Sequence, residues 1–288
     1  MPIISLPDRG VITVAGEEAR TFLNGLVTAD MAKIAPGKPG FGALLSPQGK
    51  ILADFFIVEA EAGDGGGFYL DCPRVLAPEI VQRLSMYRLR ARVGVVDVSE
   101  TLGVGVVVDE TAFDPEDWLA FADPRLAGLG QRLIGPREAL AGCTGDPAAY
   151  LARRVALGVP EGGKDFVYND AFPHEALMDQ LNGVDFHKGC YVGQEIVSRM
   201  EHRGTARTRI MLATYDGGFA PAEGLAVFAG DKAIGWTGSQ AGGRGLVILR
   251  LDRLHDALAA GAPVMAGGIG LTADKPAYAR FQWPLAEG

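Results

Sequence analysis

After residue 204 the chain turns into short apolar runs cut by glycine: "RTRIMLATYDG", "GLAVFAG", "KAIGWTGSQ", "GLVILRLD" and "PVMAGGIG". Each run suits a strand and is too short for an ordinary helix, and each ends in residues that turn the backbone. Strands this short bury their apolar faces only against one another. The stretch 204–288 is therefore expected to form a small β-barrel or sandwich.

The chain before it mixes strand and helix signals. Val11, Ile12 and Val14 suggest a strand. Ala19, Phe22, Leu23 and Leu26 follow at helical spacing, with Glu17 and Glu18 placed where acids favour a helix N-terminus. "GALLSPQGKILADFFIVE" reads as a hairpin around Ser46–Lys50, and "GGFYLDCP" as a further strand after a glycine-rich turn at 63–67. Leu76, Ile80, Leu84 and Tyr87 define one face of the next helix. "ARVGVVDVS" and "LGVGVVVD" are strands, "PEDWLAFADPRLAGLGQRLIG" is loop-rich, and Asp146–Gly158 is helical. The glycines of 63–67 lead into a strand and do not open a helix after one, so they make a turn and no dinucleotide cradle. The fold class expected is an α+β body ending near residue 203, followed by a C-terminal all-β module, a small barrel or a sandwich.

Composition narrows the function. Lys+Arg number 27 against Asp+Glu 35, for a net charge of −8. Such a chain is not expected to bind nucleic acid strongly through its overall field. No apolar run has the length of a membrane span, and "MPIISLPDRG" carries no signal-peptide pattern. Three well-separated cysteines, Cys72, Cys143 and Cys190, support neither a disulfide framework nor a zinc ribbon. A reducing, cytoplasmic setting is the expectation.

The densest chemistry lies in "FHKGCYVGQE", residues 186–195. Ile196, Val197 and Met200 predict a helix after Gly193, with Gln194 and Glu195 in its first turn and Cys190 just ahead. A helix N-terminus and the Lys188 ammonium both favour thiolate over thiol. Cys190 is either a small packing residue or a thiol held out for chemistry. His187, Cys190 and His202, with His174 and Glu175 upstream, fit no standard zinc spacing, and no metal site is assigned. Two arginine runs stand out, Arg83, Arg88, Arg90 and Arg92, and Arg199, Arg203, Arg207 and Arg209. They would hold a carboxylate- or phosphate-rich ligand, or serve as a solvated face with internal salt bridges.

"KGCYVGQE" (188–195) resembles the signature of the YgfZ family, folate-binding-fold proteins related to the glycine-cleavage T-protein and linked to iron–sulfur cluster assembly. "GEEARTFLNGLVTADM" (16–31), "LLSPQGKILADFFIV" (44–58), "RRVALGVPEG" (153–162) and "EIVSRMEHRGTARTRI" (195–210) resemble further family segments in the family's order. The likeness covers nearly the whole chain and is weakest from about 110 to 145 and in the last twenty residues. "GVPEG" looks more like the branch represented by the mitochondrial late-acting iron–sulfur assembly factor.

The resemblance implies three domains around a central funnel that accepts tetrahydrofolate. These would be residues 1–45 with 146–203, residues 46–145, and the barrel 204–288. It implies Cys190 and Lys188 as the reactive pair, and Asp54, Tyr191, Gln194, Glu195, Arg203 and Arg88 as ligand-binding residues. Where relatives carry a pterin-pairing glutamate this chain has Ala156, which accepts no hydrogen bond. That departure weakens the expectation of folate. The implied function is an assembly or repair factor for [4Fe–4S] enzymes, including those that thiolate tRNA. Its partners would be iron–sulfur assembly proteins and client enzymes, with a cluster shared transiently with a partner. The alternatives are a folate-dependent aminomethyltransferase and a regulator of tRNA modification.

Overall fold

The computed structural model describes residues 3–60, 66–108, 118–204 and 206–283. The chain forms two compact units, Met1–Tyr150 with Leu181–Glu195, and Leu151–Gln180 with Ile196–Gly288.

The first unit opens with β1 (Ile4–Ser5), β2 (Arg9–Ala15) and α1 (Ala19–Asn24). The expected hairpin follows as β3 (Gly40–Leu45) and β4 (Ile51–Glu59), then β5 (Phe68–Pro73), α2 (Ala77–Arg88) and β6 (Gly94–Asp97). These strands make one antiparallel sheet in the order β3-β4-β5-β2-β6. A second antiparallel sheet joins β1 to β7 (Leu102–Val107), β9 (Gln131–Pro136) and β8 (Leu119–Ala122). The short α3 (Arg137–Leu140) follows β9.

Alternation along the strands decides the layering. Phe55 and Ile57 of β4 join Leu23 of α1, Leu70 of β5, and Ile80 and Leu84 of α2 in one apolar core. Their neighbours Asp54 and Phe56 are buried as well, so β4 is covered on both faces. That second cover explains why β4 reads as a continuous apolar run and not as an alternating one.

Several expectations need correction. Glu18 is the N-cap of α1, which ends at Asn24, short of Leu26. Tyr87 lies in the last turn of α2 and is exposed. The loop-rich stretch contains β8 and β9, whose strand pattern is masked by flanking glycine and proline. Residues 61–65 and 109–117, which include most of the glycine-rich turn, lie outside the described residues. The domain boundary expected at 45/46 falls inside the β3–β4 hairpin, where Ala43 pairs with Asp54 and Leu44 with Ala53. A ladder of that kind does not divide between domains.

The second unit contains a closed six-stranded barrel, in the order β10-β13-β12-β11-β14-β15. Its strands are β10 (Thr208–Tyr215), β11 (Ala226–Ala229), β12 (Lys232–Ala241), β13 (Arg244–Arg250), β14 (Val264–Ala266) and β15 (Ile269–Asp274). Pairing of β10 with both β13 and β15 closes the ring and removes the free edges. Met211, Val227, Val247, Leu249 and Leu271 fill it. Between β13 and β14 runs α6 (Leu251–Ala259), which adds Leu251 and Leu254 to that core. Sequence reading missed α6 because "GLVILRLD" enters the helix with no glycine or proline to mark the change. This unit is larger than the barrel expected from residue 204. It also takes in 151–180, where the buried Arg154 donates to Asp165 Oδ2 (2.6 Å) and to Ser239 Oγ of β12 (2.6 Å). The helices α4 (Pro147–Leu157) and α5 (Gln194–Arg203) carry the chain from one unit to the other. Among the described residues no helix is long and apolar enough to cross a membrane.

Candidate functional site

The cysteine loop is held by three anchors within the first unit. The first is Thr28, whose hydroxyl donates to the Gly183 carbonyl (2.6 Å) and accepts from the Ala43 amide of β3 (2.8 Å). Its own carbonyl accepts from the Asp185 amide (2.9 Å). Asp185 then turns the chain. Its Oδ1 accepts from the amides of His187 (2.8 Å) and Lys188 (3.1 Å), and its Oδ2 pairs with Lys33. Burial would raise the Asp185 pKa, but the Lys33 and backbone hydrogen bonds outweigh it and hold the carboxyl below its usual value.

The second anchor is Lys188. Only 9% exposed, its ammonium donates to the carbonyls of Asn24 (2.8 Å), which ends α1, and of Val27 (2.7 Å) and Ala29 (2.7 Å) just beyond it. Three donors meet three acceptors. Burial pushes its pKa down to about 8 against the pull of Asp30 and Asp185. The carbonyls favour the ammonium form, since a neutral amine has one proton fewer to give. With its three protons on these carbonyls, the side chain ties the loop to the end of α1 and the turn after it.

The third anchor is Gly193, at φ 82°. A Cβ there would lie 2.5 Å from the Ser46 carbonyl of the hairpin turn, so only glycine lets the loop close against it. Gly189 meets no such demand and has open space around it.

Between these anchors Cys190 is exposed, while Lys188 and Tyr191 on either side are buried. The Lys188 Nζ stands 5.2 Å from the centroid of the Tyr191 ring. Burial first, and Asp185 second, push the Tyr191 phenol up to about 12, and its buried hydroxyl has no hydrogen-bond partner among the described residues. Gln194 and Glu195 open α5 as expected, Gln194 half-buried and Glu195 exposed. The arrangement presents one thiol on a pinned loop. Cys72 is fully buried, with its thiol pushed up to about 12 by burial, and Cys143 is half-buried with its pKa also raised by burial.

Asp54 and Arg88 stand on other elements of the first unit. Asp54 is 6% exposed and shares the β4 face of Phe56, where its charge acts on Arg9. Arg88 is exposed and donates to the Val93 carbonyl (3.2 Å). Arg203 ends α5, which from Ile196 onward belongs to the second unit. Ala156 is exposed on α4 and offers no acceptor, so the residue standing at the pterin position does not fit that group. Much of the arginine excess is internal pairing. Arg83 binds Glu79, Arg92 binds Glu17, and Arg209 binds Asp179 through both carboxylate oxygens. His174, Asp179 and Glu201 bring donor atoms within 4.8 Å of one another, but the Arg209 guanidinium already satisfies Asp179.

Sequence reasoning missed a buried ionic cluster. Arg9 Nε and Arg132 Nε each donate to Asp71 (2.7 Å each), while Arg125 and Asp123 form a fork-like pair. Tyr150 accepts from Arg125 (3.1 Å) and Arg132 (3.2 Å). The Phe56 ring lies 4.1 Å from the Arg132 guanidinium carbon and 4.8 Å from that of Arg125. Burial works against the charge on Arg9, yet Asp71 and then Asp54 hold its pKa above the usual value. The available signal was charge placed inside strands: Arg9, Asp71 and Arg132 interrupt apolar runs.

The fold matches that of the glycine cleavage system aminomethyltransferase T from Bartonella henselae, with a TM-score of 0.74 over 97% of this chain and 86% of that one. At 17% identity the likeness speaks for the fold alone. Residues 207–281 match the CAF17 C-terminal beta-barrel domain family, in agreement with the closed barrel. A T-type fold carrying an exposed cysteine on a fixed loop defines the class. Within it, the chain is 33% identical to the mitochondrial iron-sulfur cluster assembly factor IBA57 homolog of Pyricularia oryzae, over 91% of this chain and 75% of that protein. It is 31% identical to mitochondrial IBA57 of Mus musculus, over 88% and 78% of the two chains. The Mycosarcoma maydis homolog is 33% identical over 76% of this chain, which spans 59% of that protein's length. The chain belongs to the IBA57 family of iron–sulfur cluster assembly factors.

These relatives are named as mitochondrial, which overturns the cytoplasmic expectation. That expectation rested on unpaired cysteines and the opening residues. The former fit any reducing compartment, and the latter carry no such information.

Proposed function

We propose that the chain supports maturation of [4Fe–4S] enzymes, with Cys190 as the thiolate that contacts the cluster in transit. The observation that carries this reading is the exposure of Cys190 on a loop whose neighbours are buried and anchored. A [4Fe–4S] cluster takes four thiolates. Cys72 is locked in the core, so the remaining ligands come from a partner, an iron–sulfur assembly protein or a client enzyme. The relatives' mitochondrial setting is the compartment that goes with this role. An effect on tRNA thiolation follows indirectly, through the iron–sulfur enzyme that performs it. Aminomethyl transfer is the weaker reading, because Ala156 supplies no pterin acceptor and Asp54 lies within the field of Arg9. No step is routed through folate.

Complementation of a strain lacking this protein tests the reading. Cys190→Ala, folded and abundant, is expected to leave a [4Fe–4S] enzyme inactive while a [2Fe–2S] enzyme keeps its activity. Full rescue of the [4Fe–4S] enzyme by Cys190→Ala would overturn it.

A further inference from the structure

The end of α2 displays what packing within the chain does not explain. Leu89 follows the helix at φ 46° and ψ −104°, a backbone region that leucine rarely enters, and it is 88% exposed. Met86, one turn earlier, is 70% exposed. A strained backbone that turns an apolar side chain into water gains nothing from the fold around it. Beside the pair lie Arg88 and Arg90, exposed, and among the described residues neither has a carboxylate partner. The segment 77–92 carries four arginines and one glutamate in a chain of net charge −8. Arg83 and Arg92 are matched by Glu79, Glu17 and Glu18, which leaves Arg88 and Arg90 as the local excess. Next to α2 runs β6, which among the described residues pairs only with β2 and ends the five-stranded sheet, with Val96 exposed.

We infer that this face, built on Met86, Leu89, Arg88 and Arg90, docks an acidic segment of a partner protein. Apolar side chains of that segment cover Met86 and Leu89, and its carboxylates pair with the two arginines. Charge complementarity sets the occupant: a guanidinium pair flanking an apolar centre recognises carboxylates flanking an apolar centre. The surface is separate in sequence from the Cys190 loop, so its failure and the failure of the cluster reading are distinguishable.

The probe is a labelled synthetic peptide of glutamates with two leucines four residues apart, followed by fluorescence anisotropy and by amide shifts in the full chain. Binding is expected to shift amides of residues 83–97. It should weaken at least tenfold in Arg88→Glu/Arg90→Glu and in Met86→Ser/Leu89→Gly, and fall with added salt. Leu89→Gly suits the positive φ, so its urea midpoint is expected to hold, which separates lost docking from lost folding. Four results would overturn the inference: equal binding to the variants, no binding up to millimolar peptide, equal binding of a lysine version, or a self-dimer abolished by Leu89→Gly. Binding of RNA or anionic vesicles that needs the arginines but not Met86 and Leu89 would also overturn it.

Discussion

Lys188→Met asks whether the loop anchor is real. Methionine keeps the length of the side chain and removes all three donors. Two of the three carbonyls it leaves behind, those of Val27 and Ala29, are buried, and that of Asn24 is partly so. A buried acceptor left without a partner costs about 1–3 kcal/mol. Against this, the variant no longer buries an ammonium, a burden visible in the fall of its pKa to about 8. The net loss is then roughly 2–4 kcal/mol, or a fall of about 1 M in the urea midpoint at a slope of about 2–3 kcal/mol per M. The sign of the pH effect is fixed as well. The folded value of about 8 lies below the ordinary 10.5, so the folded state holds fewer protons between the two. Stability contributed by this group rises across that window, and Lys188→Met abolishes the rise. Reaction of Cys190 with a bulky disulfide reagent is expected to lose its single rate once the loop is released. A midpoint within about 0.3 M of wild type, with an unchanged thiol rate, would refute the anchor.

Other perturbations reach the same account from different sides. Asp71→Ala leaves Arg9 and Arg132 buried without their shared carboxylate, and chemical denaturation is expected to show a loss of about 3–5 kcal/mol. Burial lowers the His174 pKa from its usual value of about 6.5, so its contribution is present above that pH and lost as pH falls. His174→Gln should flatten that acid limb in thermal melts between pH 7 and 5, and an unchanged limb would assign it elsewhere. Gly193→Ala combines a positive φ with the 2.5 Å approach to Ser46, and is expected to cost about 1–3 kcal/mol. Gly189→Ala, with open space around it, should be silent in the same assay.

The barrel was legible because its strands close on one another, so each short run between glycines had one available use. The hairpin 40–59 and the helix after Gly193 were legible for the same local reason. Cys190 could be found from the sequence, but its exposure could not: Lys188 beside it reads as an activating charge, while the fold turns its three protons toward residues 24–29. Thr28 and Asp185 escaped notice because a hydroxyl and a carboxylate that cap backbone groups leave no spacing signature. The ionic cluster of Arg9, Asp71, Asp123, Arg125 and Arg132 draws on residues up to 123 positions apart. Only strand order brings them together. Arg88 and Arg203 looked like ligand residues by composition and lie on separate elements, one ending α2 and the other ending α5.

The central claim is that Cys190 supplies a thiolate to a cluster whose other ligands come from outside the chain. Anaerobic reconstitution with iron, sulfide and glutathione, the last supplying the missing thiolates, tests it most directly. The account predicts that the wild-type chain retains the visible charge-transfer absorption and the iron after desalting, and that Cys190→Ser retains neither while melting as wild type does. Equal retention of iron and sulfide by Cys190→Ser would contradict it.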